Sequence, residues 1–368
     1  MVIVYVLTSL GMGGAERQVL ALAERMADRG HAVKLLVLRP KLSTQWPAAL
    51  PVIHLDMRRN PMSVLRGFSR ARRFLRGYRP DLVHGHSFHA NIVARLLKAF
   101  AHAPVVLSTV HNVYEGGLHR MIAYRMTDFL AARTTAVSAA AAERFVRLRA
   151  VPKKKCVVVA NAIDTAEFAP NPKRRAQMRA EMQAGDNFIW LTAARLVPAK
   201  DIPNLLRAFV RVRTEIPAAQ LWIAGEGNET GVRRVDVFAV ERGSFDQVRW
   251  LGLRRDMPAL LDAVDGFVLA SAWEGMPLVL GEAMAMEKPV VATDVGGVRE
   301  LVGDAGAVVQ PRDSEALAAA MLELMRRALE DRDALGHAAR SRIENEFSMD
   351  ARADEWEGLY RSLIARSG

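Results

Sequence analysis

The chain has a single cysteine, Cys156, among its 368 residues, so no intrachain disulfide can form and a reducing compartment is expected. Long apolar runs are lacking too. The apolar stretch over 88–110 is interrupted by Arg95 and Lys98, so no transmembrane helix is expected. Residues 2–10 are apolar but carry no basic leader and end in Gly11-Met12-Gly13-Gly14 without a cleavage-like site, so they read as a first buried strand and not a signal peptide. His84, His86 and His89 cluster around DLVHGH, yet no carboxylates or thiolates stand at ligand spacing from them. The cluster therefore predicts the wall of a polar cleft, and no metal. Aromatic residues are 7 % of the chain and are not interleaved with the basic ones as base stacking requires, so nucleic acid is not an expected partner. Solenoid repeats and low-complexity tails are absent from the sequence.

Acidic residues are scarce in one half only. Residues 1–165 hold 25 Lys and Arg against 9 Asp and Glu, a surplus of 16, whereas the remainder holds 26 against 31. Such asymmetry points to an anionic partner for the N-terminal half, a membrane surface, a lipid-phosphate substrate or nucleic acid, the last disfavoured by the aromatic pattern. Eight arginines between Arg58 and Arg79 are mixed with Val64, Leu65, Phe68, Phe74 and Leu75. A helix there either lays its apolar stripe among lipid headgroups or turns it to the core, and the pattern leaves both open.

Short β-branched runs alternate with helical patterns: VIVYVLTSL, a helix over 15–29, VKLLVL, DLVHGH, VVLSTV, TTAVS and CVVVANAI. After the prolines Pro170 and Pro172 the alternation restarts with FIWLTAARL, QLWIAGEG, VRWLG, GFVLAS and PVVATD. Such runs are buried parallel strands, and the chain is long enough for two α/β domains, each doubly wound. Ligands in these folds bind at the carboxyl ends of the strands. A last helix over 349–366 shows Trp356, Leu359, Tyr360 and Ile364 on one side.

Several motifs fall at those strand ends. WEGMPLVLGE places Glu274 and Glu282 on either side of a helix start, with Pro277 expected as the first helical residue. Free N–H groups of Gly275, Met276 and Leu278 around Pro277, with the helix dipole, suit a phosphate, and a carboxylate a turn or two on suits the diol of a ribose. A capped helix with a solvated Glu282 is the structural alternative. Gly13 and Gly14 in GMGGAE suit close approach of a phosphate or sugar, but Glu16 stands where the dinucleotide fingerprint needs a third small residue. Arg195 and Lys200 put two cations into one loop, which suits a departing diphosphate. His111 at the mouth of VVLSTV is placed to bind a ligand, with His86 and Asn112 as acceptor or wall residues. Gly225 lets the backbone approach a nucleotide, Leu253 and Arg254 offer contacts to a base, and Asp256 is expected to cap the next helix. Asn161-Ala162-Ile163-Asp164 reads as structural, and Gly296-Gly297-Val298-Arg299-Glu300 as a turn into a helix with no assigned role.

Over nearly its whole length the chain resembles the retaining glycosyltransferases of family 4: the pair Glu274 and Glu282, the GGAE loop, the Arg195/Lys200 loop and the NAID segment occur in order. The family has Gly after the Lys, where this chain has Asp201, and Gly where it has Ala162. The resemblance implies a GT-B fold, two Rossmann-like domains facing a cleft: residues 1–165 for the acceptor, 166–345 for the nucleotide-sugar, and 346–368 as a helix crossing back to the first. It also implies His111 on the transferred sugar, Arg195 and Lys200 on the diphosphate, and Glu274 orienting the sugar. Expected are a nucleotide-diphosphate donor, UDP-linked, no metal or other cofactor, and a lipid-linked saccharide acceptor in bacterial surface-polysaccharide assembly. The place of work is cytoplasmic, peripheral on the inner face of the cell membrane. The rivals are a nucleotide-sugar epimerase or phosphorylase on the same fold, which would turn over without an acceptor alcohol or need phosphate or a covalent cofactor, and a non-catalytic anionic-polymer-binding protein, which would show salt-dependent DNA binding.

Overall fold

Two all-parallel sheets organise the chain. The computed structural model describes residues 1–43, 46–101, 105–227 and 247–367. These divide into two units, Met1–Ala162 with Met349–Gly368, and Ile163–Ser348.

The first unit contains β1 (Val2–Leu7), β2 (Ala32–Val37), β3 (Val52–His54), β4 (Leu82–His86), β5 (Val105–Val110), β6 (Arg133–Ala136) and β7 (Cys156–Val158), in the order β3-β2-β1-β4-β5-β6-β7. Because helices cover both faces, β1, β4 and β5 are buried along nearly their full length; β1 is an unbroken apolar run, while β4 and β5 also carry His84, His86, Ser108 and Thr109. The period of two sorts their side chains. Ile3, Tyr5 and Leu7 point to one core with helix Gly14–Asp28, while Val4 and Val6 point to another with Leu75 and Leu97. The C-terminal helix Met349–Ala365 returns to this unit and puts Ala353, Trp356, Tyr360 and Leu363 into the Tyr5 core. Winding reverses between β1 and β4, which makes the carboxyl ends of these strands the switch point.

The second unit repeats the order with β8 (Ile189–Ala193), β9 (Gln220–Ala224), β10 (Val248–Gly252), β11 (Gly266–Leu269), β12 (Val290–Thr293) and β13 (Ala307–Val309), arranged β10-β9-β8-β11-β12-β13. Its core includes Trp190, Phe209, Leu221, Ile223, Val268, Val291 and Met321, and its switch point lies between β8 and β11. Gly225, just past β9, adopts φ +135°, and a Cβ there would stand 1.9 Å from the Ala194 carbonyl oxygen. Glycine at this place lets the ends of β8 and β9 close on each other.

Strands β3 and β13 have no counterpart in the sequence reading. Each is three residues long, sits at a sheet edge and is only half-buried, so neither carries an apolar run long enough to stand out as a strand. The arginine-rich stretch forms helix Pro61–Tyr78, with Asn60 accepting a hydrogen bond from the Ser63 amide as its cap. Its stripe divides: Ala71, Leu75, Phe68 and Phe74 pack on the Val4 core, while Met62, Val64 and Leu65 in the first turns stay exposed. Among the described residues no helix is long and apolar enough to cross a membrane. At the junction, Ala162 donates to Gln18 Oε1 at 3.1 Å in the first unit, and Ile163 donates to the Phe347 carbonyl at 2.8 Å in the second.

Candidate active site

In the second unit the loops after β8 and β11 bring together residues 74 positions apart. Lys200 Nζ donates to Glu274 Oε1 at 2.5 Å, and Ser271 Oγ donates to the same oxygen at 2.6 Å. Glu274 is 7 % exposed, so its charge rests on these two donors. The loops are tied by their backbones, Ala272 N–H to the Ala199 carbonyl at 2.8 Å, and Thr293 from β12 holds the Ser271 carbonyl at 2.6 Å. Lys200 ends a short 3₁₀ turn, Pro198–Lys200, and is followed by Asp201 at φ 43°, ψ 46°. This left-handed conformation explains the glycine common in the family, and Asp is one of the few other residues that tolerates it. The loop therefore keeps its shape despite the replacement.

The cation pair expected in that loop is divided. Lys200 is engaged with Glu274, whereas Arg195 is exposed and makes no ion pair among the described residues. An ammonium has three donors, so Lys200 can hold Glu274 and still meet a phosphate. The helix after Glu274 runs Leu278–Ala285, so Pro277 is its N-cap and not its first residue. Its ψ of 112° is extended, which its fixed φ permits, and no side chain caps the first-turn N–H groups. Glu282, one turn into this helix, is 6 % exposed. The alternative of a solvated Glu282 is thereby removed.

Gly296, in the turn left without a role by the sequence, backs this site. It adopts φ +57°, a Cβ would stand 2.3 Å from the Glu274 carbonyl oxygen, and Gly297 N–H donates to the Gly275 carbonyl at 2.6 Å. One further expectation is corrected. Asp256 sits at the N-cap of helix Met257–Ala263 but its side chain caps nothing, because Arg254 grips both carboxylate oxygens at 2.9 and 2.6 Å. A bidentate pair two residues apart outcompetes a neutral cap. Arg254 thus offers a ligand only what Asp256 leaves, and Leu253 beside it is exposed.

In the first unit the histidines separate by partner. His84 is fully buried, its Nδ1 2.8 Å from the Tyr360 hydroxyl and its Nε2 2.6 Å from Thr109 Oγ1, so the C-terminal helix makes it a core residue. His86 Nδ1 and His111 Nε2 lie 3.0 Å apart at the ends of β4 and β5. The remaining nitrogens, His86 Nε2 and His111 Nδ1, are buried without a partner among the described residues. His89 stands apart, on helix Phe88–Ala101. Burial drives the His111 pKa down to about 4, so near neutrality its ring is an uncharged donor and acceptor. Asn112 spends its side-chain oxygen on the Tyr114 amide at 3.1 Å. Gly13 caps helix Gly14–Asp28 without a side chain, and Glu16 and the Trp46 indole lie against it.

Glu115, absent from the sequence reading, completes this corner. Its carboxyl accepts the His111 amide at 3.0 Å and the Tyr124 hydroxyl at 2.7 Å, and burial pushes its pKa up to about 7. The only sequence signal was its position four residues after His111. The two shifts oppose each other in stability. His111, depressed from 6.5, contributes stability above that value that is lost as pH falls toward 4. Glu115, raised from 4.5, contributes stability below that value that is lost as pH rises through 7. Replacing Glu115 by Gln should therefore raise stability relative to the native chain on going from pH 4.5 to above pH 7, by up to about 3 kcal/mol. Guanidinium denaturation of both proteins across that range checks it, and a difference independent of pH would refute it.

Rossmann strand order in both units, with ligand-facing groups gathered at the switch points, defines the GT-B class of glycosyltransferase. Residues 12–167 match the family model described as Glycosyltransferase Family 4, and residues 187–327 that described as Glycosyl transferases group 1. The chain belongs to the family 4 glycosyltransferases. It is 25 % identical over 306 residues, 77 % of this chain and 76 % of the relative, to the Escherichia coli UDP-Gal:alpha-D-GlcNAc-diphosphoundecaprenol alpha-1,3-galactosyltransferase. To the glycogen synthase of Mycobacterium tuberculosis (strain ATCC 25618 / H37Rv) it is 29 % identical over 316 residues, 80 % and 71 % of the two chains. The crystal structure of Anabaena Alr3699/HepE in complex with UDP and glucose superposes with a TM-score of 0.86 at 20 % identity, over 98 % of this chain and 100 % of the other.

Proposed function

We propose that this protein is a retaining, metal-independent glycosyltransferase that moves a hexosyl or N-acetylhexosaminyl group from a UDP-sugar to a hydroxyl of a lipid-linked saccharide in bacterial surface-polysaccharide assembly, working as a peripheral protein on the inner face of the cell membrane. The observation that carries this reading is the Lys200–Glu274–Ser271 cluster beside the uncapped start of helix Leu278–Ala285. The second unit is assigned the donor. Arg195, Lys200 and the backbone from Gly275 through Met276 and Pro277 to Leu278 take the diphosphate, Glu282 the ribose and Glu274 the sugar, with Gly225, Leu253 and Arg254 toward the nucleoside. In the first unit Gly13, Gly14 and His111 are assigned to the phosphates and transferred sugar, and His86 and Asn112 to the acceptor. UDP as the carrier is supported by the nucleotide named for the E. coli relative and bound in the Anabaena protein, and a lipid-linked acceptor by the substrate that relative's name gives.

In this scheme the bond from the anomeric carbon to the diphosphate breaks with its electron pair passing to the phosphate, whose charge the cations and helix start stabilise. The acceptor hydroxyl attacks the same face, and its proton passes to the departing phosphate oxygen. No protein base is needed. The test is a panel of UDP-, GDP- and ADP-sugars with a membrane lipid extract, reading nucleotide release and sugar incorporated into lipid for the native chain and Glu282→Ala. Lipid-dependent release from a UDP-sugar, abolished by the substitution, is expected. Release without acceptor, or no donor used across the panel, would overturn the reading.

A further inference from the structure

Helix Leu118–Thr127 is apolar on two sides. Met121 and Tyr124 pack inward on Val110 and Phe145, as an amphipathic helix requires. The opposite side carries Leu118, Ile122 and Met126, spaced four apart and 68, 53 and 67 % exposed, and Phe129 just beyond is 75 % exposed. Four large apolar side chains on one face of a soluble surface mark a contact site. Its segment is cationic: residues 111–155 hold nine Lys and Arg against three acids, with Arg120 and Arg125 on the helix itself and Lys155 donating to the Asp128 and Ala131 carbonyls beside Phe129. Each of the three acids is engaged within the chain. Glu115 is turned in to the His111 amide, Asp128 is buried and paired with Lys155, and Glu143 is paired with Arg147.

We propose that this face, Leu118, Ile122, Met126 and Phe129 with its basic surround, seats the protein on an anionic lipid surface. The proposal rests on the lipid-linked acceptor reading and names the surface that serves it. Charge complementarity selects the occupant, since an apolar centre bordered by cations matches acyl chains beneath anionic headgroups. The more arginine-rich helix Pro61–Tyr78 is the poorer anchor, because Phe68, Phe74 and Leu75 are turned to the core. The lipid-facing helix directly follows the His111–Gly117 loop, which keeps His111 and its neighbour His86, the acceptor histidine, close to the headgroups.

The test uses the full chain and a variant with Leu118, Ile122, Met126 and Phe129 all changed to Ser, with Met62→Ser/Leu65→Ser as a comparison. Co-sedimentation with phosphatidylglycerol vesicles should fall roughly a hundredfold for the first variant and little for the second. Phosphatidylcholine vesicles should bind neither protein well. Circular dichroism verifies the folds, and UDP calorimetry reads the donor site separately. Loss of UDP binding in the native chain would count against the transferase reading and not against this surface. Equal sedimentation of native and fourfold variant would overturn the proposal. So would a native dimer in light scattering that the variant dissolves while vesicle binding is absent, since the face would then belong to a second copy of the chain.

Discussion

Replacing Lys200 by Met should reduce sugar transfer about a hundred- to a thousandfold, the effect of removing one preorganised charge from a developing oxyanion. The same change strands Glu274, which then keeps only the Ser271 hydroxyl at 2.6 Å for a carboxylate that is 7 % exposed. An uncompensated buried charge costs about 3 kcal/mol, so the second unit should also lose stability. The two effects separate in a double substitution. Adding Glu274→Gln removes the stranded charge and should restore most of the stability, because the amide keeps the shape and can accept from Ser271. Transfer should stay low, since neither the cation for the diphosphate nor the carboxylate for the sugar is present. Thermal unfolding and transfer rates of the four proteins of this cycle decide the matter. Full activity in Lys200→Met would make the ion pair a structural element alone.

The parts of the fold written in local pattern were legible. Buried parallel strands carry mostly apolar, β-branched runs, so β1, β5, β9 and β12 announce themselves, and the spacing of Trp356 and Tyr360 marks the helix that returns to the first unit. Short edge strands lack that signal, as β3 and β13 show. At the site, residue types were legible but partners were not. Lys200 was grouped with its loop neighbour Arg195, although its ion pair lies 74 residues away on Glu274. His84 and His86 look equivalent on β4, and only Tyr360, 276 residues on, makes the first a core residue. Asp256 was read as a cap because nothing local shows that Arg254 turns back onto it. In each case a long-range or competing contact, invisible to spacing, chose between roles the residue type allowed.

Gly296→Ala should damage transfer without replacing any residue assigned to the donor. The left-handed φ of +57° costs an alanine about 1 kcal/mol by itself. The larger effect is steric: the new Cβ would meet the Glu274 and Gly275 carbonyl oxygens at 2.3 and 2.7 Å, and backbone atoms cannot swing aside as a side-chain end can. Relief requires the loop at Glu274–Gly275 to move outward, which draws the carboxylate from Lys200 and Ser271 and shifts the helix start at Leu278. A displacement near 1 Å at a reacting centre costs about a hundredfold in rate, and the lost packing adds about 2 to 4 kcal/mol of destabilisation. Gly252→Ala supplies the comparison. Its φ is +63°, so the backbone penalty is the same, yet nothing lies within 4 Å of the added carbon. That variant should lose about 1 kcal/mol and keep its transfer rate. If the two alanines behaved alike in kcat/KM, the turn at Gly296 would not be positioning Glu274, and the contact between them would be packing without consequence for the chemistry.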